Sequence, residues 1–113
     1  MTFDNETLAI FNYADQKAYK MACQINSLNL MNDVAIKECK KARDEYDRWE
    51  ELYYNSTSEW QLKRSADEGR KLNDQINHYV AIVESNCKTI KSNLRKVELR
   101  CKIIGFKQRF KKP

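Results

Sequence analysis

Proline is almost missing from this chain of 113 residues: there is one, and it is the last residue, Pro113. Glycine is nearly as scarce, with Gly69 and Gly105 the only two. Strand-rich folds turn often and rely on these residues to do so, so their scarcity excludes a sandwich or barrel and points to long helices. The single histidine, His78, and four cysteines separated by 16, 48 and 14 positions leave no metal-ligand spacing. No apolar run approaches the roughly 20 residues that span a bilayer, and the acidic opening "MTFDNETLAIF" has no secretory-leader pattern. A soluble, intracellular protein is expected, in the host cytoplasm if the gene belongs to a phage. A glycine-rich phosphate loop, a nucleophile elbow and an acid/base dyad are also lacking, so the chain reads as a non-enzyme without cofactor or metal.

What is present is charge and periodicity. A third of the residues are charged, and the two signs are unevenly divided. Residues 1–56 hold 7 Lys and Arg against 10 Asp and Glu, whereas residues 57–113 hold 14 against 6. From Ser85 onward there are ten bases and one acid, Glu98, which is the electrostatic footprint of a polyanion partner. The acidic run Asp44–Glu51 is expected to form exposed ion pairs with Arg43 and Arg48, each worth ~0.3–0.5 kcal/mol.

Apolar residues step by three and four along Phe11, Ala14, Ala18, Met21, Ile25 and Leu28. They then slip in phase and resume at Met31, Ala35, Cys39, Ala42, Tyr46, Trp49 and Tyr53. A second stripe runs Leu62, Ala66, Gly69, Leu72, Ile76, Tyr79, Val83, Cys87, Ile90, Leu94, Val97, Cys101, Ile104. Steps near 3.5 residues mark a coiled-coil seam. Between the stripes Asn55 can end a helix, and Ser56 with Glu59 has capping-box spacing for the next, which also accounts for the sequon-like Asn55-Ser56-Thr57. The expected fold is therefore all-α, one antiparallel helical hairpin of two long helices. Its parts are arm one over 5–54, kinked near 26–33, a turn at 55–57, arm two over 58–104 and a basic tail over 105–113. With that turn, Cys23 and Cys87 fall opposite one another as small core residues rather than as a disulfide.

One seam cannot cover Trp49, Tyr53, Trp60, Tyr79, Ile82 and Ile103 together, so a homo-oligomer is expected, with Trp49, Tyr53, Trp60, Tyr79, Ile103 and Ile104 at its interface. On arm two, Lys88, Lys91, Arg95, Arg100 and Lys102 form a ridge of charge suited to a phosphate backbone. After Gly105, which can terminate the helix, Phe106 and Phe110 alternate with Lys107, Arg109, Lys111 and Lys112. Such interleaving suits stacked bases and their phosphates, favouring a single strand over a duplex. A lipid surface is the weaker alternative, because the segment is short for an interfacial anchor and lacks tryptophan. Packing of Ile103, Ile104, Phe106 and Phe110 against a neighbouring subunit is a third use of the same tail.

The stretches "ELYYNSTSEWQL" (51–62), "IVESNCKTIKSN" (82–93) and "KIIGFKQRF" (102–110) resemble the T4-type phage recombination mediators, the UvsY family. "KARDEY" (41–46) echoes that family's basic-aromatic segment, which implies nucleic-acid contacts at Lys41 and Arg43. The resemblance covers about residues 36–110. It implies a ring-forming helical oligomer that binds single-stranded DNA, helps displace a single-strand-binding protein and loads a RecA-like recombinase. The competing expectation is a helical protein-interaction module, such as a small phage inhibitor or assembly factor, whose basic arm docks on an acidic protein surface.

Overall fold

A computed structural model describes the backbone of residues 2–111 and the side chains of residues 2–103. It is all-helical: α1 covers Asn5–Ala14, α2 covers Gln16–Asn55 and α3 covers Glu59–Lys111, with no strand among the described residues. The chain divides into two compact units. The first holds residues up to Met31 together with those from Ser85 onward, and the second holds Asn32–Glu84.

The first arm is not one helix kinked near 26–33. α2 is unbroken across that stretch, and the interruption lies at Asp15. Asp15 adopts an extended backbone (φ −157°, ψ 102°), so α1 ends there while its N–H still reaches Phe11 O. Its carboxylate then accepts from Lys17 N at 3.1 Å and Ala18 N at 3.2 Å, satisfying the first orphan donors of α2. One aspartate thus closes one helix and opens the next. Asp4 does the same for α1 by accepting from Thr7 N at 2.7 Å, and that bond holds its carboxyl below the usual aspartate range.

The apparent phase slip after Leu28 also disappears. A seam of buried and half-buried positions in α2 runs Ala18, Ala22, Ile25, Leu28, Asn32, Ala35, Cys39, Ala42, Tyr46 and Trp49, in steps of three and four. Asn32 occupies the seam, only 7% exposed, while Met31 beside it faces outward. α3 behaves alike: Ser65, Asn86, Asn93 and Arg100 are more buried than Ala66, Cys87, Leu94 and Cys101, which hydropathy alone selects. Polar residues at seam positions cost stability but single out one register, because a shifted alignment would strand them without partners.

In the first unit the core is Phe11, Ala18, Ala22, Ile25 and Val97, with Phe3, Leu8, Tyr19, Met21, Ile90 and Leu94 packed around it. Alanines at 18 and 22 let the neighbouring elements approach closely, and Ile25 fills the centre with no exposed surface. The segment before α1 is pinned to α2 by Asn26, whose side chain accepts from Phe3 N (2.8 Å) and donates to Phe3 O (2.9 Å). Phe3 then meets Phe11 edge to face at 5.6 Å. Asn93 donates to the side-chain oxygen of Gln24 at 2.8 Å, which satisfies its buried amide.

The second unit has a thinner interior of Ala35, Ala42, Ser65 and Leu72. The turn differs from a capping box. α3 begins at Glu59, Leu62 N bonds Ser58 O at 3.0 Å, and the Ser56 hydroxyl donates to the Gln61 side chain at 2.8 Å instead of to a backbone N–H. Ser58 is thus the last residue before the helix. Gly105 does not end α3, which continues to Lys111. A lone glycine among helix-forming Lys, Gln and Arg costs the helix ~1 kcal/mol without stopping it.

Candidate nucleic-acid interface

Cations from two helices converge in the first unit. Lys17 and Lys20 from the start of α2 and Lys96 and Arg100 from the end of α3 line one cleft of about 420 Å³, floored by Met21 and Leu99. Lys17, Lys20 and Lys96 beside these two apolar residues favour an anion with some hydrophobic surface. Lys17, Lys20 and Lys96 are exposed, whereas Arg100 is half-buried. Its Nε donates to Asp15 Oδ2 at 2.6 Å, so Arg100 first ties α3 to the α1–α2 junction and also walls the cleft. Hydrogen bonding from Arg100 is the main reason the Asp15 carboxyl lies below its ordinary pKa, against a partial desolvation that pulls the other way.

The ridge expected on α3 is partly assembled. Lys88, Lys91, Arg95 and Lys102 are exposed along α3 in the first unit, whereas Arg100 faces inward. Lys41 and Arg43 belong to the second unit. Lys41 pairs with Glu38 at 3.4 Å, and Arg43 lines a separate groove. The side chains of Ile104, Phe106, Lys107, Arg109, Phe110, Lys111 and Lys112 lie outside the described residues. Lys17, Lys20 and Lys96 are new to the site. The first two sit in the acidic half of the sequence, so no local charge pattern marks them. They become a site only when α2 meets α3.

Among the residues expected at an oligomer interface, Trp60 (66%), Ile103 and Tyr53 are exposed, while Trp49 and Tyr79 are half-buried. Trp49 and Trp60 share a partner, with the Arg64 guanidinium 5.6 Å and 5.5 Å from the two rings. His78 is exposed with its ring 5.9 Å from Tyr79. Cys87 is exposed, not a core residue, because Asn86 takes the seam position beside it; Cys23 is half-buried. The Cys101 thiol is pushed up by desolvation, then by Asp15 and Glu98, the reverse of an activated thiolate. No group of three His, Cys, Asp or Glu among the described residues is placed to hold a metal, and no helix among them is long and apolar enough to cross a membrane.

No family model matches this chain, and no curated protein or solved structure matches it.

Proposed function

We propose that this protein is a non-catalytic, single-stranded nucleic-acid-binding oligomer, held on its ligand by charge and not by sequence readout. The observation that carries this reading is the four-cation cleft of Lys17, Lys20, Lys96 and Arg100, together with the exposed Lys88, Lys91 and Arg95 along α3. Repeated cations along a helix suit a repeating phosphate chain better than a single small anion. In this reading the aromatic residues Phe106 and Phe110 of the basic C-terminal segment stack unpaired bases.

The same reading has α2 and α3 as antiparallel arms of a hairpin. Three residues separate the helices, and Asp15 meets Arg100, Gln24 meets Asn93 and Tyr46 lies against Gly69, so one partner's number rises as the other's falls. Self-association through exposed residues such as Trp60 and Ile103 belongs to the same reading. In the role that the UvsY-like segments suggest, such an oligomer holds single-stranded DNA while a RecA-like recombinase replaces a single-strand-binding protein.

The test is oligonucleotide binding measured across a range of salt. Lys17→Ala with Lys20→Ala, or Lys91→Ala with Arg95→Ala, weakens binding, and each lost phosphate contact lowers the slope of log K against log salt by about 0.7. Phe110→Ala weakens binding with the slope unchanged, since stacking releases no counterions. A protein that binds no oligonucleotide even at low salt is not a nucleic-acid scaffold. That outcome favours the interaction-module reading, which has its own support in an apolar groove of about 380 Å³ walled by Ile36, Cys39, Tyr79, Val80 and Val83.

A further inference from the structure

The second unit contains a cleft of opposite chemistry, close to the turn. An open cleft of about 360 Å³ is lined by Tyr46, Trp49, Tyr53 and Tyr54, with Glu50 among them. Gly69 also lines the cleft, where the ring of Tyr46 lies against it; a Cβ there would sit 3.6 Å from Tyr46 Cε2. Four aromatic faces and a carboxylate are the groups that attract a cation, through the ring quadrupoles and through direct countercharge. Glu50 and Arg70 are the charged residues of the lining, and the α2 stretch Asp44–Glu51 that carries Glu50 has five acids against Arg48, which disfavours phosphate nearby. The cleft's own cation, Arg70, is held at the wall by Asp67 Oδ1 at 3.1 Å. The adjoining surface already shows the preferred guest, since Arg64 places its guanidinium over both Trp49 and Trp60.

We propose that this aromatic cleft is a docking site for an arginine side chain carried on a basic peptide segment of a partner protein. The guanidinium stacks on the Trp49 and tyrosine faces and donates to Glu50, a planar fork meeting a carboxylate in partly desolvated surroundings. Charge complementarity selects the partner: the acidic α2 stretch Asp44–Glu51 disfavours acidic segments and nucleic-acid backbones. This proposal does not rest on nucleic-acid binding, which uses the cations of the other unit.

The test uses full-length protein with Trp60→Phe, which leaves Trp49 as the only tryptophan. A short uncharged-background peptide bearing two arginines is titrated against its emission, beside the same peptide with citrulline, which keeps the shape and removes the charge. The arginine peptide is expected to change Trp49 emission saturably. The citrulline peptide, and the arginine peptide on Glu50→Gln or Tyr54→Ala protein of unchanged helicity, are expected to bind at least about tenfold more weakly. An unchanged emission up to millimolar peptide, or equal responses to arginine and citrulline, overturns the proposal. So does an unaltered response in Glu50→Gln. A single-stranded oligonucleotide that shifts Trp49 and competes with the peptide would make the cleft a base-stacking site. A mass that drops on Glu50→Gln in light scattering would make its occupant a second copy. Either result overturns the partner-peptide assignment. Loss of oligonucleotide binding in the Lys17 and Lys20 variants bears only on the other unit, so the two readings fail separately.

Discussion

The two units are built from the same two long helices and differ in what those helices are given to pack against. In the first, α1 and the segment before it fold onto α2, so Phe3, Phe11, Ile25 and Val97 share an interior. In the second, α2 and α3 have only each other, and the seam narrows to Ala35, Ala42, Ser65 and Leu72. A two-helix interface buries one stripe per helix, and everything beyond that stripe stays in water. The consequence is visible in the aromatics. Phe3 and Phe11 of the first unit are tucked in while its Tyr13 is 96% exposed, and in the second unit Tyr53, Tyr54 and Trp60 are exposed. The larger buried interior lies in the first unit.

The largest expected effect tests that division directly. Ile25→Ala should cost about 3–4 kcal/mol by opening a cavity in a three-sided interior that cannot collapse. Leu72→Ala should cost nearer 2 kcal/mol, because a thin seam relaxes into the space. Urea unfolding of both variants decides it, and a larger loss at Leu72 would break the comparison.

Next in size is the pin that holds the N-terminal segment. Asn26→Ala removes two hydrogen bonds to Phe3 and should cost about 2 kcal/mol at ~1 kcal/mol each. Hydrogen exchange should show faster exchange over α1 and leave residues of the second unit unaffected. Spread of the effect into Asn32–Glu84 would mean the units are not energetically separate.

A gain is expected in the second unit. Gly69 is helical without a left-handed backbone, and an added Cβ meets Tyr46 at ordinary contact distance, so Gly69→Ala should stabilise by about 1 kcal/mol. A rise in melting temperature checks it; a fall would show that the aromatic cleft is more tightly packed than its geometry implies.

The smallest effect concerns acid. Arg100 holds the folded Asp15 pKa below its unfolded value of about 3.9. The ionised carboxylate therefore contributes stability in full above that value, and the contribution is lost as pH falls through the folded pKa. Asp15→Asn keeps a capping side chain and removes the charge. The gap between wild type and Asp15→Asn should stay constant from neutral pH to about 4 and close below it. A gap that widens in acid would contradict the assignment of Asp15 to Arg100.

The sequence alone determined that the protein is helical and where the long helices end near the turn. Scarce glycine and proline and a three-four spacing are properties of neighbours in the chain, and helix formation is decided at that range. The expected arm ended at residue 54, one short of Asn55, while the Ser56–Glu59 capping box gave way to a start after Ser58. The tertiary structure decided the rest. Asn32, Ser65, Asn86 and Asn93 lie in the seam although hydropathy assigns them to solvent, because a polar side chain may be buried only where its partner is, and the partner of Asn93 is 69 residues away. The break at Asp15 depends on a carboxylate that caps α2 and binds an arginine 85 residues on. The cleft of Lys17, Lys20, Lys96 and Arg100 draws its cations from opposite ends of the chain. Charges sum over distance in space, and sequence spacing measures that distance only within a single helix.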